Sequence, residues 1–208
     1  MSERPALDAA RLEALWAGEF GDAYTERNEK ASAHRERFWR ETLDDIPAPR
    51  VLEVGCNLGA NLTWVAAHPR TRAATGVDVN AGALRRLCQA SPTTRALTAT
   101  GRALPFRTGA FDLVFTMGVL IHQSPESLPS VMSEIVRCSR RFVLCGEYYA
   151  ADAVEVAYRG QTGALFKRDF GALYRHLDAS LVLRKQSFLS RADGWDDVTV
   201  WLFEKARA

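Results

Sequence analysis

The residues best suited to chemistry lie in the segment Val51–Leu62, which reads VLEVGCNLGANL. An apolar run containing Glu53 leads into a turn that holds Gly55 and Gly59, and a helical pattern begins directly after it. Glycine lets the backbone approach a ligand closely, and the first turn of a helix offers free amide groups. The carboxylate of Glu53 would repel a pyrophosphate but attract a ligand that carries an ammonium and a sulfonium group. The segment therefore favours S-adenosylmethionine over a dinucleotide.

A second acid supports this interpretation. Asp78 ends the next apolar run, 19 residues after Gly59, where a carboxylate can accept hydrogen bonds from both hydroxyls of a ribose. The nicotinamide fingerprint GxGxxG would need glycines at positions 57 and 60, where Asn57 and Ala60 stand. A nicotinamide-dependent oxidoreductase is therefore the less favoured alternative.

Two later segments complete the predicted adenosine pocket. Gly101–Phe106 could line an adenine edge with backbone amides and apolar carbons. Phe111–Gly118 is an apolar run that would end at the carboxyl edge of a parallel sheet, where such folds bind ligands. The residues expected to bind the donor from these segments are Glu53, Gly55, Asn57, Gly59, Asp78, Val79, Arg102, Ala103, Met117 and Gly118.

Alternating strands and helices are needed to position these residues, and the pattern after Pro49 predicts them. Strands are expected at Arg50–Val54, Ala73–Val77, Leu97–Thr100, Phe111–Met117 and Phe142–Cys145, with helices around 60–67, 80–90 and 126–137. Leu181–Ser187 and Val198–Glu204, joined by a polar turn, predict a hairpin with one antiparallel strand. We expect an α/β, Rossmann-like, mostly parallel seven-stranded sheet that ends in this antiparallel hairpin.

Residues 1–45 predict helices instead. Leu12, Leu15, Trp16 and Phe20 form a helical stripe, and a second periodic run extends from residue 24 to residue 43. We predict that residues 1–45 form a helical lid and that residues 46–208 form the catalytic part of the same structural domain.

The predicted core is similar to that of class I S-adenosylmethionine-dependent methyltransferases. Their glycine loop, second-strand acid and fourth-strand segment match Glu53–Gly59, Asp78 and Phe111–Gly118, although Asn57 stands where many such enzymes carry a glycine. The resemblance implies a methyltransferase that uses S-adenosylmethionine.

A narrower resemblance runs from about residue 12 to residue 205. The segments WAGEFGDAYTERN, GVLIH, CGEYY, VEVAYRG and LFKRDF resemble the pseudaminic acid biosynthesis-associated methylases. Genes of that family often lie near genes for nine-carbon acidic sugars, so the resemblance fixes the donor better than the acceptor. It also suggests that Tyr24 contacts the methionine part of the donor, with Arg27 and Asn28 beside it in a lid.

Methyl transfer requires an acceptor lone pair aligned behind the methyl group in a site that excludes water. His122 follows the fourth strand and is the candidate general base, with capping or packing as its alternative role. Glu147, Tyr148 and Tyr149 follow the fifth predicted strand. The tyrosines could wall the pocket and cradle the positive charge of the methyl group, which makes Tyr148 a candidate catalytic residue, or they could pack at the sheet edge. Glu147, also a candidate catalytic residue, could bind an acceptor amine or pair with Arg159.

Three basic residues indicate an anionic acceptor. Arg159, Lys167 and Arg168 lie between Glu155 and Asp169 with no acid among them, and Tyr158 and Phe166 are interleaved with them. Such a run is often only a solvated face, but its position after the fifth strand favours acceptor recognition. The expected substrate-binding residues are Tyr149, Tyr158, Arg159, Lys167 and Arg168.

Composition limits the remaining possibilities. The 208-residue chain has a formal charge of +2, which argues against nucleic-acid binding by bulk electrostatics, and no apolar run approaches the ~20 residues of a membrane span. Four cysteines without a CxxC pair make a metal site unexpected. We expect a cytoplasmic enzyme of biosynthesis that acts on a small-molecule or short-peptide acceptor bearing a carboxylate, such as an acidic sugar, amino acid or natural product. A donor-binding but inert partner protein is the open alternative.

Overall fold

A computed structural model describes residues 4–27, 34–92 and 94–206. Its centre is a seven-stranded sheet in the order β3-β2-β1-β4-β5-β9-β8, in which β9 is antiparallel to both of its neighbours. The strands of this sheet are β1 (Arg50–Val54), β2 (Ala73–Asp78), β3 (Arg95–Thr98), β4 (Phe111–Met117), β5 (Ser139–Glu147), β8 (Leu181–Leu189) and β9 (Val198–Lys205). The predicted mostly parallel sheet with its antiparallel C-terminal hairpin is confirmed.

Helices cover the sheet, and a short ribbon lies beside it. The helices are α1 (Arg4–Ala17), α2 (Glu19–Arg27), α3 (His34–Asp45), α4 (Leu62–Ala67), α5 (Ala81–Ala90), α6 (Leu128–Cys138) and α7 (Phe170–Leu177). The ribbon pairs β6 (Val154–Glu155) with β7 (Phe166–Lys167). None of the helices in the described residues is long and apolar enough to cross a membrane.

Several boundaries differ from the sequence prediction. The strand expected at Leu97–Thr100 begins two residues earlier, and the one expected at Phe142–Cys145 extends in both directions. Helix α7 and the β6–β7 ribbon were not predicted, because their eight- and two-residue lengths give little periodicity to detect. Residues 28–33, which include Asn28 of the predicted lid, lie outside the described residues.

Helix α3 packs into the core of the sheet. Trp39 and Leu43 are buried with almost no exposed surface, and the Trp39 ring lies 4.4 Å from that of Phe115 on β4. This apolar face anchors α3 to the sheet. Helices α1 and α2 are the elements that reach over the carboxyl edge of the sheet, where Trp16 of α1 contacts His122.

Candidate active site

A cavity of about 460 Å³ opens at the carboxyl edge of the parallel strands, a volume within the ~300–1,000 Å³ of small-molecule sites. Strands β1, β2 and β4 end in it, and helices α1 and α2 cover it. The predicted site residues that line it are Tyr24, Glu53, Gly55, Asn57, Asp78, Val79, Met117, Gly118, His122, Tyr148, Tyr158 and Arg159.

The loop after β1 has an unusual backbone that accounts for Asn57. Gly55, Asn57 and Gly59 have φ angles of 77°, 46° and 73°. Asparagine tolerates this left-handed region better than other residues with a side chain. Asn57 can therefore take the left-handed conformation that a glycine would adopt at this position. Gly59 does not line the cavity; it faces α5, where an added Cβ would lie 2.7 Å from a methyl of Leu87.

Asp78 holds this loop as well as lining the cavity. Its Oδ2 accepts a hydrogen bond from the Asn57 amide at 2.8 Å, and its Oδ1 accepts one from the Asn80 amide at 2.9 Å. Burial raises the pKa of Asp78, although these amides act against the shift. Each carboxylate oxygen has two acceptor positions, so the group can still accept hydrogen bonds from a ribose diol.

Glu53 is a buried residue of the cavity lining. Its Oε1 accepts a hydrogen bond from Asn61 Nδ2 at 2.9 Å, and its buried Oε2 has no hydrogen-bond partner among the described residues. Burial raises the pKa of this carboxyl to about 8. A buried carboxylate oxygen in this position fits an ammonium group, which would favour its ionised form.

Arg35 is a site residue that the sequence analysis missed. It lines the cavity, its Nη1 donates to Asn61 Oδ1 at 3.3 Å, and its guanidinium lies 5.0 Å from the centre of the Trp195 ring. With Glu53 it supplies one cation and one anion at the same end of the cavity. This pair matches the carboxylate and ammonium of a methionine moiety.

The part of the cavity predicted to face the adenine edge is lined by residues next to those expected there. Ala99 and Gly101 line the cavity, whereas Arg102 and Ala103 do not. The Arg102 guanidinium binds both oxygens of Glu13 on α1 at 2.8 Å, and the Ala103 amide donates to the Thr100 carbonyl. Arg102 thus connects α1 to the loop after β3 instead of facing the ligand.

His122 lines the cavity with a defined tautomer. Its Nδ1 lies 2.6 Å from the Ala164 carbonyl oxygen. A carbonyl only accepts hydrogen bonds, so Nδ1 carries the proton and Nε2 keeps its lone pair. Burial lowers the pKa of His122 to about 4, so the imidazole is neutral near pH 7.

Glu147 is not placed to touch an acceptor or to pair with Arg159. It is fully buried, and it accepts hydrogen bonds from Thr116 Oγ1 at 2.9 Å and from the amides of Val119 and Ile121 at 3.3 and 3.2 Å. These bonds hold the turn that carries His122. The side chain points inward because successive residues on a strand face opposite sides of the sheet, and it is the next residue, Tyr148, that lines the cavity.

The three predicted acceptor cations do not converge. Arg159 lines the cavity, but Lys167 and Arg168 do not. The Nζ atom of Lys167 lies 5.8 Å from the centre of the Tyr148 ring. Arg168 is buried and donates a hydrogen bond to the Gln123 carbonyl at 3.0 Å. Tyr149 also lies outside the lining and is 48% exposed.

Aromatic side chains from separate parts of the chain line the same cavity. The ring of Trp16 lies 4.3 Å from His122 and 5.3 Å from Tyr24, and the ring of Tyr158 lies 5.3 Å from His122. We call Trp16, Tyr24, His122, Tyr148 and Tyr158 the aromatic wall. Trp195 and Asp196, from the turn between β8 and β9, lie along the same cavity and were not predicted.

The comparisons with known proteins agree with this geometry. Residues 51–141 match the family model of a methyltransferase domain. No curated protein sequence matches the chain significantly.

Solved structures resemble the fold over most of its length. A 1,6-didemethyltoxoflavin N1-methyltransferase from Burkholderia thailandensis, with S-adenosylhomocysteine bound, is 19% identical and covers 100% of this chain and 92% of its own, with a TM-score of 0.76. Magnesium protoporphyrin IX methyltransferase from Synechocystis PCC 6803 is 13% identical, and the match covers 95% of this chain and 99% of that enzyme, with a TM-score of 0.68. The cyclase SpnF is 15% identical, and the match covers 83% of this chain and 81% of the cyclase, with a TM-score of 0.62. At these identities the likeness establishes the fold alone.

The residues present fit S-adenosylmethionine. Asp78 suits the ribose, Glu53 and Arg35 suit the charged groups of methionine, and Ala99 and Gly101 leave an apolar edge for adenine. The methyltransferase-domain match over residues 51–141 and this site together support an S-adenosylmethionine-dependent methyltransferase.

Proposed function

We propose that the enzyme methylates an oxygen or nitrogen of a small polar acceptor that bears a carboxylate or a similar acidic group. S-adenosylmethionine supplies an activated methyl group, which the acceptor's lone pair takes as the carbon–sulfur bonding pair returns to sulfur. The protein must therefore orient the acceptor, exclude water and, for some acceptors, receive a proton.

The observation that carries this proposal is the conformation of Arg159. Tyr158 and Gln161 exchange backbone hydrogen bonds of 3.0 and 2.9 Å around a two-residue turn. Both central residues, Arg159 and Gly160, have positive φ, at 49° and 80°, as in a type I′ turn. Asparagine or glycine would be favoured at the first position. A strained arginine at the mouth of the cavity is accounted for if its charge binds the acceptor.

His122 would act as the proton acceptor in this scheme. Its neutral Nε2 is available near pH 7, and the Ala164 carbonyl fixes the ring from the other side. Because its pKa is low, His122 suits an acceptor that loses its proton as the new bond forms, when that proton becomes acidic. An acceptor that is already a carboxylate would not need it.

Several classes of acceptor fit this proposal. Acidic sugars, amino acids, short peptides and natural products with a free acid all qualify, and the resemblance to methylases associated with pseudaminic acid biosynthesis favours the first of these. We place the reaction in cytoplasmic biosynthesis, as the sequence suggested.

Transfer of a labelled methyl group tests the proposal. Incubating the protein and tritium-labelled S-adenosylmethionine with a metabolite extract of the source organism should give a labelled product. Arg159→Ala should raise the acceptor KM with little change in donor Kd, whereas the exposed Arg175→Ala serves as a matched control. Absence of any labelled product, despite donor binding, would favour the inert partner protein instead.

A further inference from the structure

Two opposite charges line the cavity without partners among the described residues. Arg159 comes from the turn after β6, and Asp196 comes from the turn between β8 and β9. Within the described residues, neither side chain forms a hydrogen bond or an ion pair; the guanidinium of Arg159 only lies 5.8 Å from the ring centre of Tyr158. Both side chains are exposed at the mouth of the cavity.

The other charged side chains of the cavity already have partners. Arg191 lies 3.1 Å from Asp197, and Arg35 is bound to Asn61 and stacked on Trp195. Glu53 is bound to Asn61, and Asp78 holds two backbone amides. These last two acids serve the donor end, so Asp196 is an additional acid that the donor does not require.

Asp196 lines the same cavity as the aromatic wall. Its negative charge contributes to raising the pKa of both Tyr24 and Tyr148, to about 12 in each case, after the larger effect of burial. A carboxylate in a cavity lined by tyrosine rings is a favourable setting for an ammonium group, because ring faces also attract cations. The cavity therefore offers a position for a cation beside Asp196 and one for an anion beside Arg159.

We propose that the acceptor is a zwitterion: it carries an amine that Asp196 binds and an acidic group that Arg159 binds. This inference rests on the proposed function and narrows its acceptor class to amino-acid-like or amino-sugar-acid-like molecules. Recognition from two sides would also orient the acceptor relative to His122 and the methyl group. A neutral acceptor, or one with an acid only, would leave the charge of Asp196 without a counterpart.

Fractionating the metabolite extract by charge before the assay tests the zwitterion directly. The extract is first bound to a cation exchanger at about pH 2, which retains molecules with a protonated amine. The retained part is then bound to an anion exchanger at about pH 11, which retains molecules with an ionised acid. Only molecules that carry both groups are retained in both steps. Methyl acceptance should be found in the doubly retained fraction. Acceptance confined to material that passes either exchanger would overturn the inference while leaving the proposed methyl transfer intact. Absence of transfer to the unfractionated extract would remove the proposed function, and the inference with it.

Two variants assign the charges. Asp196→Asn and Arg159→Gln should each raise the KM for the doubly retained acceptor about tenfold or more, the loss expected for a hydrogen bond to a charged group. The controls are Asp193→Asn, in the same turn but outside the cavity lining, and Arg175→Gln on α7. Calorimetric Kd values for S-adenosylmethionine and S-adenosylhomocysteine should be unchanged in all four. If Asp196→Asn weakens only S-adenosylmethionine binding, the carboxylate serves the sulfonium and the inference is wrong.

Discussion

The side-chain amide of Asn57 donates a hydrogen bond to Thr25 Oγ1 at 3.0 Å and so joins the loop after β1 to helix α2. Asn57, which stands where many class I methyltransferases carry a glycine, thus connects the donor site to helix α2. Asp22 and Asn80 make a second connection of this kind at 2.8 Å. Polar side chains therefore join helix α2 to the segments that follow β1 and β2.

Thr25→Val should loosen this connection. The substitution keeps the shape of the side chain but leaves the Asn57 amide without its partner and removes the bond from Thr25 Oγ1 to the Gly21 carbonyl. We expect a loss of about 1–3 kcal/mol in the free energy of unfolding and weaker binding of S-adenosylhomocysteine. Denaturant unfolding and calorimetry measure the two effects, and Thr25→Ser is the control that restores both bonds. Equal donor affinity in Thr25→Val and the wild type would show that the connection does not support the site.

Donor binding should release a proton. The pKa of Glu53 is raised to about 8 by burial, so the carboxyl is mostly protonated at pH 7, and the ammonium of the donor would lower that pKa. Affinity should therefore rise with pH up to about 8 and then level off, because the bound state holds fewer protons than the free one. Calorimetry in two buffers of different ionisation enthalpy measures the release directly. The release should be absent in Glu53→Gln; proton uptake by the wild type would contradict the assignment.

Glu147 should act as a positioning residue. In Glu147→Gln an amide nitrogen can replace the oxygen that accepts from the Ile121 amide, so two donors would meet and the turn carrying His122 would shift. We expect kcat to fall about 10- to 100-fold, as displacement of a catalytic group by roughly 1 Å does, with a much smaller change in donor Kd. Since burial raises the pKa of Glu147 to about 7, wild-type kcat should also decline below pH 7, and this step should be absent in the variant. An unaltered pH profile in Glu147→Gln would refute the role.

Arg159→Asn should separate stability from function. Asparagine is favoured at positive φ and would relieve the strain at the first central position of the turn. The expected gain is about 0.5–1 kcal/mol, or roughly 1–4 °C in Tm, together with a lower kcat/KM for the acceptor. Differential scanning calorimetry and steady-state kinetics test the two halves. A variant that is both more stable and fully active would show that the arginine does not bind the acceptor.

The sequence could predict the donor half of the site far better than the acceptor half. Glu53 and Asp78 end parallel strands, and parallel topology alone brings such ends to one edge of the sheet. Arg35, Trp16 and Asp196 reach the cavity only through the docking of α1, α3 and the β8–β9 turn on that edge. Local periodicity predicts that such segments exist but not which of their side chains meet across the fold.

Calorimetric titration of S-adenosylmethionine into the wild type and Asp78→Ala tests the central assignment most directly. The wild type should show saturable binding at one site, and Asp78→Ala should lose it, because the substitution removes the ribose acceptor and the carboxylate that holds the Asn57 and Asn80 amides. Asp193→Asn is the control for a surface acid, and circular dichroism verifies that each variant is folded. Undiminished binding by a folded Asp78→Ala variant would contradict the assignment of this cavity as the methyl-donor site.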